Sequence, residues 1–239
     1  VRGLWAGGAP SETAVIDYIT IAVGGTAADF GDLTVARGTA GASNSHGGLN
    51  EGYQGTRINT ALAGGSGRMV MGGGQAPANP TNIINALEIP HLGNTFDFGD
   101  LTVARQVGAD SAGSSSTRAI FASGEAPGVL SDVIDYVTIA TAANASDFGD
   151  LTVGRAFCGG CSNGTRALFA GGSNPSLDDV IDYSTIASTG DATDFGNLSA
   201  ARRFVSGMPS TTRGIFRWTG THDCRYGRIC NYWIYRQYN

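Results

Sequence analysis

Between His46 and Arg57 the chain gathers an imidazole, two side-chain amides, a carboxylate, a phenol and a guanidinium: His46, Asn50, Glu51, Tyr53, Gln54 and Arg57. They lie in ASNSHGGLNEGYQGTRINTALAGG (42–65). An aromatic face beside directional amide and guanidinium groups suits a sugar or peptide surface, so His46, Asn50, Tyr53, Gln54 and Arg57 are the candidate ligand-binding residues. A freely varying solvated loop is the alternative. His46 makes no metal site alone, and its only companions in the sequence are His91 and His222.

Cys158-Gly-Gly-Cys161 has the spacing of half a zinc site, but no second pair stands at matching spacing. The two cysteines read instead as small residues in a strand. Cys224 and Cys230 are close enough in sequence for a disulfide, and the redox compartment stays open. No nucleophile elbow, His-Glu-x-x-His or phosphate loop is present. MGGGQ (71–75) is glycine-rich but precedes no helix. No catalytic residue, metal or cofactor is expected, and the chain does not read as an enzyme.

Other charged groups recur. Nine of the 15 arginines occupy two positions: Arg37, Arg105, Arg155 and Arg202 in one, Arg2, Arg68, Arg118, Arg166 and Arg213 in the other. Asp29, Asp97, Asp147 and Asp194 recur beside them, with Asp32, Asp100 and Asp150 three residues on. A catalytic group is needed once, whereas these occur once per unit. Repetition points to structure, with guanidinium groups bonding carboxylates or turn carbonyls between neighbouring units.

The carriers of these charges are copies of one phrase: DFGDLTVAR at 29–37 and 97–105, DFGDLTVGR at 147–155 and DFGNLSAAR at 194–202. Each belongs to a longer unit. One slot reads RGLWAGG (2–8), RMVMGGG (68–74), RAIFASG (118–124) and RALFAGG (166–172). The next reads VIDYITIA, IINALEIP, VIDYVTIA and VIDYSTIA, with Asn85 and Ala86 replacing the Asp-Tyr of the other copies. The best-formed unit predicts four strands, at 156–161, 166–170, 180–186 and 192–198, separated by Gly, Asn, Ser, Asp and Pro clusters. No window sustains a helical period. Units fall at about 1–37, 38–105, 106–155, 156–202 and 203–216 onward. A four-stranded unit cannot bury both faces alone, so copies must stack.

The units resemble the kelch family of β-propellers. The resemblance lies in the diglycines ending the second strand, in Tyr18, Tyr136 and Tyr183, in the aromatic near the fourth strand and in the closing Leu-x-x-Ala/Gly-Arg; Phe stands where kelch repeats usually carry Trp. It implies an all-β propeller of four-stranded blades. Strand counting gives three, four, four, four and about three strands, hence about five blades. Four is the alternative, closed by 204–208 pairing with the N-terminal unit, and more are possible in a longer chain.

Strings of the type VIDYxTIA…DFGDLTVAR, followed by TRxxFAGG, are also similar to repeats in tail-fibre and other virion proteins of tailed bacteriophages, notably those of cyanobacteria. That resemblance implies a non-enzymatic virion appendage on the particle surface. It would associate with other virion proteins, form a homo-oligomer and display loops to a host-surface glycan. A secreted or cell-surface lectin-like module is the alternative, and a kelch-type enzyme a weaker one.

Composition narrows the classes. All the basic residues are Arg, the formal charge is −5, and no basic run is present, which disfavours nucleic acid. No apolar stretch approaches the ~18–20 residues of a membrane helix, so no membrane insertion is expected. Gly is abundant, at 37 of 239, as many tight turns require. VRGLWAGGAP at the start offers no hydrophobic signal core and no Met, so a fragment or processed product is expected.

Residues 217–239, RWTGTHDCRYGRICNYWIYRQYN, break the pattern. They hold four of the eight Tyr and two of the three Trp. Read one nucleotide later through permitted codons, this stretch can spell SGGLVHTTAGTVEYVTIGSIGNT, a diglycine followed by a V-x-Y strand. An out-of-frame continuation of the last unit is therefore expected for this tail.

Overall fold

The computed structural model describes residues 2–7, 13–20, 25–43, 67–76, 79–106, 111–218 and 233–237. These are all-β. No described helix is long and apolar enough to cross a membrane.

Five antiparallel sheets follow one another along the chain. Sheet 1 holds β1 (Arg2–Ala6), β2 (Val15–Thr20) and β3 (Ala28–Asp32). Sheet 2 is β4 (Gly38–Ser43), β5 (Arg68–Gln75), β6 (Ile83–Glu88) and β7 (Phe96–Asp100). In sheet 3, β8 (Ala112–Ser114) and β9 (Arg118–Ala122) lead through a two-stranded hairpin, β10 (Glu125–Ala126) and β11 (Val129–Leu130), to β12 (Val133–Thr138) and β13 (Ser146–Asp150). Sheet 4 repeats this with β14 (Gly159–Ser162), β15 (Arg166–Ala170), the hairpin β16 (Ser173–Asn174) and β17 (Ser176–Leu177), β18 (Val180–Thr185) and β19 (Thr193–Asn197). Sheet 5 is β20 (Val205–Pro209), β21 (Arg213–Trp218) and β22 (Trp233–Gln237).

The three–four–four–four–three strand count matches the sequence reading. The four-unit alternative does not survive. Residues 205–209 pair with β21, from Val205↔Trp218 to Pro209↔Gly214, and not with the N-terminal sheet. The reason is local: Ser210 Oγ accepts from the backbone N–H of Thr212 and Arg213, closing a tight turn. A short loop costs less entropy than a ring closure across the chain. The first strand of sheet 4 also starts three residues later than expected. Phe157 has φ +61°, which interrupts the extended backbone, and Ala156 bridges to Ser173 instead.

Each part of the repeated phrase has a place. Between the third and fourth strands the register slips by one residue, at Ile16/Asp17, Ile84/Asn85, Ile134/Asp135 and Ile181/Asp182. The residue left over is Phe30, Phe98, Phe148 or Phe195. A bulge re-aims its side chain, and the first three of these rings are buried. Phe148 meets Tyr136 edge to face at 5.9 Å, as Phe30 meets Tyr18 and Phe195 meets Tyr183. The following glycine has φ near +150° in sheets 1 to 3, and its place against the next sheet leaves no room for a Cβ. A methyl on Gly149 would fall 2.5 Å from the carbonyl of Gly190.

That closeness lets the sheets bond edge to edge. Gly190 N donates to Phe148 O at 2.7 Å and Ala192 N to Asp150 O at 2.8 Å; Gly93 and Thr95 do the same to Phe30 and Asp32. Apolar side chains then fill the space between sheets. One cluster joins sheets 3 and 4 through Ile120, Ile134, Phe148, Leu151 and Phe169, and equivalent clusters lie between the other neighbours. Burying each such side chain contributes about 2 kcal/mol.

Gly149→Ala should therefore destabilise the chain by about 2 kcal/mol or more, through both strain and clash. Gly190→Ala separates the two, because Gly190 also has a positive φ, +153°, but open space around its Cβ position. Thermal unfolding of both variants tests this. A Gly149→Ala midpoint no lower than that of Gly190→Ala would remove the clash from the account.

Candidate functional site

The recurring charges build a buried polar joint between successive sheets. Arg105, which closes unit 2, reaches Asp135 on β12 of sheet 3 with Nη1 2.7 Å from Oδ2, both side chains fully buried. Its Nε donates to Ser123 O at 2.9 Å and its Nη2 to Phe121 O at 3.1 Å. Thr102, three residues before Arg105, donates its hydroxyl to the other oxygen of Asp135 at 2.6 Å. The next joint repeats this. Arg155 Nη1 lies 2.9 Å from Asp182 Oδ2, and Thr152 Oγ1 donates to Asp182 Oδ1 at 2.7 Å. Leu-Thr-x-x-Arg is thus a clamp for the Asp of the following Val-Ile-Asp-Tyr strand. A planar fork and a hydroxyl together satisfy a carboxylate that has left water.

Sheet 2 carries Asn85 where sheets 3 and 4 carry Asp. With the amide oriented to satisfy its neighbours, its oxygen accepts from Arg37 Nη2 at 3.2 Å and its nitrogen donates to Thr34 Oγ1 at 2.9 Å. Arg37 is wholly buried, and its Nε and Nη1 have no hydrogen-bond partner among the described residues. Burial lowers its pKa from the ordinary guanidinium value to about 10. At Arg155 burial also acts downward, but Cys158 and Asp182 outweigh it and the pKa is raised.

Two of the second arginine set grip turns. Arg68 Nη1 donates to Ile139 O and Ala140 O in sheet 3, at 2.9 and 3.1 Å. Arg118 does the same to Ile186 O and Ala187 O in sheet 4. Arg118 and Arg166 each lie 4.8 Å over a tyrosine ring, Tyr136 and Tyr183. In sheet 2, where Ala86 replaces that tyrosine, Arg68 pairs with Glu88 at 2.7 Å.

The carboxylates singled out from the sequence behave differently from the arginines. Asp29, Asp97, Asp147 and Asp194 are exposed. Asp29, Asp147 and Asp194 accept from the N–H of the glycine two residues on, at 2.8–3.1 Å, and so hold the turn of their own strand. The partners of the closing arginines are Asp135 and Asp182, which the sequence reading passed over. Their signal was available: three of the four third-strand slots read Val-Ile-Asp-Tyr. Arg202 is half-buried, and its carbonyl accepts from Gly172 N at 2.7 Å.

Cys158 and Cys161 are buried, Cys161 on β14. Burial pushes the Cys158 thiol upward, and its Sγ accepts from Arg155 Nε at 3.2 Å. No group of three or more metal-ligating side chains occurs among the described residues.

His46, Asn50, Tyr53, Gln54 and Arg57 lie outside the described residues, as do Cys224 and Cys230. The point from which their segment leaves the sheet is described. Ser43 on β4 pairs with Met69 on β5, so 25 residues span a hairpin that takes four between Ser114 and Ala119 in sheet 3. The segment therefore leaves from the end that carries Arg68, the exposed His91 and Leu92, and the grip on Ile139 and Ala140. β22, from the aberrant tail, fills the third-strand place of sheet 5, with Tyr235 opposite Ile215.

No family model matches the chain, and no curated protein matches it. Its function must be argued from its own residues.

Proposed function

We propose that the chain is a non-enzymatic virion appendage protein, of the tail-fibre or surface-appendage class, that displays the 44–66 segment to a host-surface glycan. In this reading the five sheets are consecutive blades of a kelch-like propeller, and β4, β8, β14 and β20 are its inner strands. Supporting that arrangement, Ser162 Oγ on β14 donates to Ser114 O on β8 at 2.9 Å, and Gly207 on β20 lies tight against Gly160 on β14. Repeated clamps make a rigid support, and a rigid support with one enlarged loop is how a binding surface is commonly held.

The observation that carries the reading is the 25-residue span between Ser43 and Met69, set among sister turns of four. Glycans need a stacking face and directional hydrogen bonds, which Tyr53, Asn50, Gln54 and Arg57 supply by type. The partners would be other virion proteins and further copies of the chain.

The test is binding of the purified chain to a panel of bacterial surface polysaccharides, beside a variant in which Ser115-Ser116-Thr117 replaces residues 44–67. The expected result is saturable binding to a subset of glycans, lost in the shortened variant while its circular dichroism is kept. Equal binding by both chains, or none by either, overturns the glycan reading. Recovery of the chain as a free secreted lectin, absent from particles, would favour the cell-surface alternative.

A further inference from the structure

Sheet 1 presents an open copy of a face that is covered in every following sheet. Trp5 stands opposite Asp17 in the register where Met71 stands opposite Asn85, Phe121 opposite Asp135 and Phe169 opposite Asp182. Met71, Asn85, Phe121, Asp135, Phe169 and Asp182 are all wholly buried, each under the Leu-x-x-x-Arg end of the preceding unit. Trp5 is 57% exposed and Asp17 is exposed. β1 also has one edge unpaired among the described residues, where β5, β9 and β15 pair with β4, β8 and β14.

We propose that this face of sheet 1 is the docking surface for one further repeat of the same class, ending in Leu-Thr-x-x-Arg and running on into an inner strand. Its arginine and threonine clamp Asp17, its leucine covers Trp5, and its strand pairs with β1. Charge complementarity selects the arginine, because the same Asp is held by Arg105 and by Arg155 in the two carboxylate-bearing joints. The occupant is not one of the four segments already in place. Leu33, Leu101, Leu151 and Leu198 are each 3–5% exposed and packed in the clusters between sheets. Nor does sheet 5 offer such a segment among the described residues. One continuous piece can cover both the face and the edge, since 101–118 runs from Leu101 through Arg105 and β8 to the start of β9. The inference needs the stacking of sheets and is independent of the ring and of the glycan.

The experiment extends the full chain by a copy of residues 101–117 joined directly to Arg2. Trp218→Phe and Trp233→Phe are made in both the extended and the original chain, so that Trp5 reports alone. Expected are a move of Trp5 emission to shorter wavelength, loss of its quenching by acrylamide, and a rise of about 5 °C in the unfolding midpoint. Asp17→Ala should abolish the rise in the extended chain and leave the midpoint of the original chain unchanged, since Asp17 is exposed there. Thr102→Ala with Arg105→Ala in the appended copy should abolish it equally. A Trp5 that stays open to quencher, or a gain that survives either set of replacements, overturns the proposal.

Discussion

Asn85→Asp should raise the stability of the chain at neutral pH by up to about 3 kcal/mol, from which the desolvation of the new carboxylate subtracts. Folding strips Arg37 of water and gives it a neutral amide in return. Its pKa, lowered by burial from the ordinary guanidinium value to about 10, sets that penalty at about 3 kcal/mol at roughly 1.4 kcal/mol per unit. The sign follows from which state holds the proton. Below pH about 10, Arg37 is charged in both states, and only the folded state suffers. As pH climbs above about 10 towards the ordinary guanidinium pKa, the folded state can release the proton, so the penalty fades and stability rises relative to a chain without this group. With a carboxylate in place of the Asn85 amide, Arg37 stays charged, the alkaline relief disappears, and the joint weakens only in acid as the new carboxylate is protonated. For a chain of this size the midpoint should rise, by at most about 6–12 °C. Thermal unfolding between pH 6 and 11 reads both the gain and its pH profile. Asn85→Leu should move the midpoint the other way, because it removes the amide contacts to Arg37 and Thr34. A midpoint for Asn85→Asp at or below that of the parent chain would mean that the guanidinium already has a counter-charge.

Much of this joint is legible in the sequence alone, and the part that is not has a physical reason. A period shows which residues do a repeated task, so Arg37, Arg105 and Arg155 stood out as interface residues. The strands of the best-formed unit were legible within a few residues, because small and β-branched runs end at glycine pairs. The Asp of Val-Ile-Asp-Tyr repeats visibly, but which carboxylate each arginine takes was not legible. Adjacent residues invite pairing, and Asp147 is eight positions from Arg155, whereas its true partner Asp182 is 27 away and in the next sheet. What moved the first Asp out of reach is the bulge at Phe148. It turns the ring inward and leaves Asp147 on the surface to hold the N–H of Gly149. A bulge changes no composition and leaves little trace in a period of two. The same limit applies at Phe157, where a positive φ shortens the first strand of sheet 4 in a residue type that rarely adopts it. The ligand-binding candidates gained nothing from repetition, since 42–65 has no sister segment to be compared with.

Asp182→Ala should cost about 3–5 kcal/mol, the larger of the two effects, because it breaks a buried pair from one side only. One ion pair and two hydrogen bonds are lost together: the Arg155 guanidinium loses its counter-charge, and the Thr152 hydroxyl and N–H lose their acceptor. Arg155 keeps Phe169 O and Cys158 Sγ, neither of which carries a charge that balances it while the thiol stays protonated. Arg155→Met leaves the converse defect, an Asp182 carboxylate held only by Thr152. The double variant removes both charges, so its loss should fall short of the sum of the singles by about 2 kcal/mol or more. Asp182→Asn recreates at the sheet 3–4 joint the state that sheet 2 has naturally, and should cost up to about 3 kcal/mol, matching in size the gain from Asn85→Asp. Asp194→Ala is the contrast. Its carboxylate is exposed and serves one local turn, so its cost should stay near about 1 kcal/mol. Urea unfolding of the set, with hydrogen exchange at β12 and β18, places the damage. Additive single losses, or equal costs at Asp182 and Asp194, would show that the clamp is not what couples the sheets. Coupled losses confined to the sheet 3–4 joint would make Leu-Thr-x-x-Arg the unit of cohesion along the stack, and with it the reason the phrase is spelled so nearly alike each time.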